Sequence, residues 1–448
     1  MENNFDPMTG EPVNDTTKNM ASETGAPKKA LPMGLIIGGA VAAVVLLVVI
    51  LVASGVFRSK MATVSLAFAN TFKEQPKFME DLKVDEIAKW AKDGNYTVNA
   101  VAEDSDVSIN MSVGFKPSEV RFSGEFEGEY VPETDFVFSY SDKAVKAQMP
   151  AISDVLFVYD YTKMPEGYLA DEMDEDDIEM LNEALSAYWT MDTSKLEKKI
   201  SKAIMNVAKE IEIEKIDSKE YKVDDKKRKC KGYSLVLTDD EVLDMIDAVD
   251  AVFEEELSET VYDVYADMMD EMRDVMREFP ETELEIYIYK NKLACINAIM
   301  DDMDTEIEWL FKGGDFRTQN MEITVDDGYS SETMELEGKK DGSKEEYELS
   351  VDGDELLVFE YDSKDGDFVI EIEGEELEGN LLSERNGITL SCDVDGVEAS
   401  VSILKGADFE KMSGEEFNIG DASEDDFMDL YEDNEELFEM IEDLLYSF

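Results

Sequence analysis

Whatever chemistry this chain performs, it performs without histidine: none occurs among its 448 residues. That removes Ser-His and Cys-His nucleophile systems, paired-histidine zinc sites and imidazole ligation in general. Carboxylates, lysine and tyrosine remain, and one local motif stands out. Ser402-Ile403-Leu404-Lys405 matches S-x-x-K, which in penicillin-recognising enzymes opens a helix and travels with S-D-N and K-T-G. Here it closes an alternating, strand-like run, and both companions are missing. The acidic clusters Asp171–Asp177 and Asp301–Asp304 carry Ca²⁺-type donors, but neither follows the D-x-[DN]-x-[DN]-G loop spacing. They read as solvated helix starts and turns. Two carboxylates for glycoside hydrolysis need only meet in space, so a cell-surface hydrolase is the enzymatic alternative.

The three thiols, Cys230, Cys295 and Cys392, have no metal-ligand spacing. In NGITLSCDVDG, Cys392 alternates in phase with Ile388, Leu390 and Val394, which predicts a buried, inert residue. Cys230 and Cys295 pair only if their strands are neighbours; three free thiols are the other reading. A methionine row lies on the helical stretch that stops at Pro280, where Val261, Tyr265, Met268, Met272 and Met276 recur at three and four. Such a row reads first as core packing. As a functional surface it would be an adaptable apolar groove, and Met268, Met272 and Met276 are then the candidate ligand-lining residues. No catalytic, metal or cofactor fingerprint is present, and no cofactor is expected.

The elements that position these residues begin with an uncharged run, Met33 to Phe57. At 1.5 Å per residue it is long enough to cross a hydrocarbon core of roughly 30 Å, and too long for a cleaved secretory signal. Residues 33–57 are therefore expected to be a transmembrane signal-anchor, and residues 1–32, polar and aperiodic, a disordered cytoplasmic tail. Lys28 and Lys29 on one side balance Arg58 and Lys60 on the other, so orientation rests on the default for a lone N-terminal helix: N-terminus inside, the large domain extracytoplasmic. The formal net charge of -67 repels nucleic acid and anionic headgroups, so no nucleic-acid partner is expected. The one dense basic run, Lys226 to Lys229, reads as a solvated hairpin turn.

Beyond the anchor the periodicity changes repeatedly. Val64, Phe68 and Phe72, then Phe78, Leu82, Ile87 and Trp90, predict two short amphipathic helices. Alternating runs such as YTVNAVAE, DVSINMSVGF and DVLFVYDYT follow at spacings too tight for parallel crossovers. Residues 171–213 return to helical spacing, and a hairpin leads to Thr238 and Glu241, a capping box for the next helix. From Glu283 to Lys405 the chain reads as a long antiparallel meander with Asp/Gly turns. The fold class is α+β: a single N-terminal transmembrane helix, then a large antiparallel-sheet domain with packed helices over residues 58–405. The order also fits two lobes, 58–215 and 216–405. Residues 406–448 form an acidic C-terminal helical segment with a stripe of Phe427, Tyr431, Phe438, Ile441 and Leu445, expected to dock on the sheet.

The stretches GNYTVNAVAE, VLFVYDYTKMPEGY and YSLVLTDDEV, in that order, give residues 58–405 a resemblance to the uncharacterised anchored or lipidated ectodomains of Gram-positive anaerobes. The general order is similar to lipoprotein-carrier folds, in which a curved antiparallel sheet wraps around helices. That resemblance implies a cavity for apolar cargo between sheet and helices. The expected function is thus a membrane-anchored, extracytoplasmic, non-enzymatic binding or envelope protein, its partner an apolar small molecule or another envelope protein. A purely structural envelope role is the remaining alternative.

Overall fold

The computed structural model describes residues 60–434 apart from 106, 129–133, 373 and 395. The tail and anchor expected over residues 1–57, and the stripe residues Phe438, Ile441 and Leu445, lie outside the described residues. Among the described residues no helix is long and apolar enough to cross a membrane.

Alternation carries most of the chain into strands. Three helices come first, α1 (Lys60–Thr71), α2 (Lys77–Asp81) and α3 (Val84–Asp93). Strands β1 (Tyr96–Glu103), β2 (Val107–Lys116), β3 (Glu119–Gly128), β4 (Thr134–Ser141), β5 (Val145–Gln148) and β6 (Val155–Tyr159) follow. Then come α4 (Tyr168–Glu172), α5 (Glu175–Thr190) and α6 (Thr193–Ala208), the hairpin β7 (Glu214–Val223) and β8 (Lys226–Leu237), and α7 (Asp239–Glu256) and α8 (Glu259–Met276). The second run of strands is β9 (Thr282–Tyr289), β10 (Lys292–Met300), β11 (Thr305–Phe311), β12 (Met321–Asp326), β13 (Ser331–Asp341), β14 (Lys344–Val351), β15 (Asp354–Asp362), β16 (Asp367–Ile372), β17 (Glu375–Glu384), β18 (Gly387–Val394) and β19 (Val397–Lys405). The short β20 (Glu415–Asn418) and α9 (Glu424–Asp433) end the described chain.

These strands make one sheet. From β7 to β19 each strand pairs antiparallel with the next in sequence. Strand β19 then pairs along its whole length with β1, and β1 to β6 continue the antiparallel order. Strand β20 closes the series parallel to β6. The stretches 58–215 and 216–405 therefore share a single sheet. Turns obey local chemistry: at the β14–β15 turn Asp352 and Gly353 both take positive φ, 52° and 85°, the type I′ pattern that suits the right-handed twist of a hairpin.

Several of the helices pack on the sheet. Val64, Ala67 and Phe68 of α1 are fully buried, and Thr71 accepts from the backbone N–H of Leu293 at 2.7 Å, pinning α1 to β10. Phe78 of α2, Leu82 just beyond its end and Ile87 of α3 sit on Tyr361, Phe368, Leu381 and Ile388 of β15 to β18. Helix α5 lies on β4 and β6: the Tyr159 hydroxyl donates to Asn182 Oδ1 at 2.7 Å, Tyr140 donates to the carbonyl of Leu185, and Tyr140 meets Trp189 with ring centroids 5.1 Å apart. The capping box at Thr238 and Glu241 is formed. Ser423 and Asp426 make a second box that starts α9, and Phe427 packs edge-on against Phe417 at 5.1 Å. The described part of the C-terminal segment thus docks on the sheet edge.

A candidate apolar trough on the sheet

The two faces of the central strands differ sharply. One face carries Thr389, Ser402, Asn99, Ser112 and Ser123 in register, with Thr389 and Ser402 hydrogen-bonded at 2.9 Å and Ser112 donating to Asn99 at 2.7 Å. Ser402 therefore points to the polar side, and Lys405, three residues along the strand, points to the other. The S-x-x-K pair is split across the sheet.

The opposite face is apolar in successive rows. The first runs Ile388, Ile403, Val98, Val113, Phe122 and Phe138 across β18 to β4. The second is Leu381, Leu390, Val401, Ala100 and Met111, reaching Gly124 and Phe136. The third is Gly379, Cys392, Ala399, Ala102, Ile109 and Phe126. Seven strands at about 4.8 Å spacing make this surface about 29 Å long.

Helices cover this face at both ends but not between: α2 and α3 at β15–β18, and α5 just beyond Phe138, where Trp189 packs on Tyr140 of β4. Helices α2 and α3 cover Leu381 and Ile388, which are 3% and 6% exposed. Where those helices stop, Leu390 is 36%, Val401 45% and Val394 48% exposed, and Val107 on β2 is 42% exposed. Ala102, Ile109, Met111 and Phe126 are half-buried. Small residues lie where the rows are uncovered, and at two of them a neighbouring aromatic ring occupies the space a side chain would fill. A Cβ on Gly124 would stand 2.4 Å from the Phe136 ring, and one on Gly379 2.1 Å from Phe368. Ala100, Ala102 and Ala399 keep the floor low between these aromatic walls. Hydroxyls stand only at the ends of these rows, Ser383 beside Ile388 and Thr134 beside Phe126; between them the row residues carry no hydrogen-bonding group except the Cys392 thiol.

The thiols fall differently from the sequence reading. Cys392 lies on the expected apolar face but is half-exposed, because cover stops one row before it. Cys230 and Cys295 are buried and free in one cluster with Val223, Tyr287 and Ala294. Their strands, β8 and β10, are not neighbours: β9 runs between them. Two strand spacings, about 9.6 Å, exceed the roughly 7 Å Cα separation a disulfide spans. Burial pushes both thiols above their ordinary pKa, so neither is a ready nucleophile.

The methionine row on α8 is rotated from its expected place. The buried methionine is Met269, packed with Val242 and Ile246 of α7, and Met276 joins the edge of that cluster. Met268 and Met272 are exposed, at 44% and 41%. The acidic runs are local devices: Glu175, Asp176 and Asp177 form the first turn of α5, where the helix dipole favours carboxylates, and Asp301–Met303 is a single 3-10 turn. None of these residues belongs to the trough rows. Sequence reading missed Val401, Ala100, Met111 and Ile109 as a unit. The usable signal was the run of small residues on one alternating face.

Compared with known proteins, the chain matches no family model and no curated sequence.

Proposed function

We propose that this chain is a membrane-anchored, extracytoplasmic and non-enzymatic binding protein, held by residues 33–57, whose trough takes an aliphatic ligand. One observation carries the reading: the apolar rows continue past the covering helices and stay half-open on β17–β19 and β1–β3. Soluble domains seldom leave a contiguous apolar area of this extent without an occupant. Between the hydroxyls of Ser383 and Thr134 at its ends the floor offers one thiol as a polar partner, so a ligand that brings hydrogen-bonding groups there loses most of their hydration without return. An acyl-like chain loses nothing. This agrees with the carrier-like order of elements, and the uncharged run of residues 33–57 would keep the ligand close to a membrane.

A polarity-sensitive naphthylamine dye, added to the full-length protein in nanodiscs against empty discs as blank, measures the trough directly. Val401→Asp places a charge on the trough floor and should weaken dye binding at least tenfold, since a desolvated carboxylate is costly. Thr389→Asp, on the polar face of the neighbouring strand, should leave it unchanged. Equal binding by wild type and Val401→Asp would refute the assignment.

A further inference from the structure

Helix α5 has two working faces. Ile178, Asn182, Leu185 and Trp189 meet the sheet side, through the Tyr159 and Tyr140 contacts described above. The other face turns towards α8, and between the two helices lies an open cleft of 1290 Å³. Its α5 wall carries Met180, Leu181, Ala184 and Tyr188, and its α8 wall Val261 and Tyr265. Met180 is 53% and Tyr188 56% exposed, so much of this wall faces water, although the Tyr188 ring also meets Tyr140 of β4 at 6.1 Å. The stripe on α8 runs on beyond the cleft through Met268, Met272 and Val275, all exposed. These are spacings of three and four, so one apolar line follows α8 for about four turns. Its length, roughly 21 Å over Val261 to Val275, is that of a helical segment of about fourteen residues.

The rim has one sign. Asp177, Glu183, Asp263 and Asp267 line the cleft, and among the described residues no lysine or arginine does. Methionine fills and refills irregular gaps, which suits a surface that must mould to a side-chain pattern instead of a fixed small molecule. An apolar groove between two helices, flexible in its lining and flanked by carboxylates, has a matching partner class. That partner is an amphipathic helix with large apolar residues at i, i+3/i+4 and i+7 and with lysine or arginine along its edges. The chain's own acidic C-terminal segment carries the wrong charge for this rim.

We propose that the α5–α8 cleft is a docking groove for a basic amphipathic helix of a partner protein. The cleft shares no lining residue with the trough rows, and the proposal stands whether or not the trough binds an aliphatic ligand. Charge steers the encounter and the apolar line sets which helices stay.

The test uses full-length protein in zwitterionic nanodiscs, with empty discs as blank, and three fluorescent eighteen-residue peptides. One is an amphipathic Leu/Lys helix, one has the same composition scrambled to abolish the apolar face, and one is an amphipathic Leu/Glu helix. The first should bind at least tenfold tighter than the second, and the third should not bind. Met180→Asp and Leu181→Asp, at exposed positions, add negative charge and yet should weaken the first peptide at least fivefold. Attraction by net charge alone predicts the reverse. Asp177→Asn with Glu183→Gln, Asp263→Asn and Asp267→Asn should weaken it and flatten its salt dependence. Equal binding of the scrambled peptide, unchanged or tighter binding to Met180→Asp, or preference for the acidic peptide would each overturn the proposal. Thermal melts of each variant confirm that the fold is intact.

Discussion

Phe68→Ala should destabilise the domain by about 3–5 kcal/mol, the range for removing a buried aromatic ring from a packed core. Phe68 is fully buried, as are Val64 and Ala67 on the same side of α1, and this face packs on β9 and β10. The other tertiary ties of α1 are polar: Lys60 Nζ donates to the Ile213 carbonyl at 2.8 Å and Asn70 Nδ2 to that of Asn291 at 3.1 Å. Val64, Phe68 and Thr71 are its buried stripe, and the bond from Leu293 to Thr71 is one anchor at its end. Isolated helices of this length are marginal in water, so packing decides whether α1 forms. Loss of the ring leaves a cavity between α1 and the sheet that rigid strands cannot collapse. Thermal unfolding should shift down by about 5 °C or more for a domain of this size. A shift below about 1 °C would mean that α1 does not dock as described.

Glu345→Ala should cost nearly as much, though Glu345 is polar. Its side chain is 1% exposed and accepts from the backbone N–H of Lys77 at 2.7 Å and from Lys340 Nζ at 2.8 Å. The first bond caps α2, whose N-cap residue, Pro76, offers no side-chain acceptor. The second satisfies a carboxylate inside the sheet. Each hydrogen bond to a charged group contributes roughly 1.5–3 kcal/mol, so losing both should cost about 3 kcal/mol or more. Beside it, Tyr361 donates to Asp81 at 2.9 Å, the far end of the same short helix. Loosening α2 at one end should therefore expose Phe78, which packs on Phe359 at 4.7 Å. The measurement is chemical denaturation of Glu345→Ala against Glu345→Gln. The glutamine variant, which keeps the shape and one acceptor, should recover about half of the loss. Equal stability of both variants and wild type would remove Glu345 from the account.

How far the sequence spoke depends on what each signal encodes. Alternation and helical spacing are local, and they placed the YTVNAVAE strand, the Thr238 cap and the helical stretch before Pro280 where the structure has them. Pairing between β19 and β1 joins residues some three hundred apart, and no local pattern announces it. The same holds for the parallel addition of β20 to β6. At Cys392, alternation gave the face correctly but not the depth, because depth depends on where α2 and α3 end. On α8 two apolar lines run side by side, Val261–Tyr265–Met268–Met272 and Tyr262–Met269–Met276. A 3.6-residue period shows both without saying which one meets α7. The structure assigns burial to Met269; on the other line Met268 and Met272 stay exposed, while Tyr265 is half-buried against Phe253 of α7, ring centroids 5.4 Å apart.

The most direct test of the trough is the reactivity of Cys392. It is the single thiol on the trough floor, and the other two are buried and raised in pKa, so maleimide reports on this surface without any engineered residue. In the native full-length protein Cys392 should label first, with Cys230 and Cys295 following only on unfolding. A saturating long-chain aliphatic amphiphile should slow Cys392 labelling at least tenfold in the wild type, and far less in Val401→Asp. Labelling of Cys392 at the same rate with and without the amphiphile, in wild type and variant alike, would contradict the trough as a binding site.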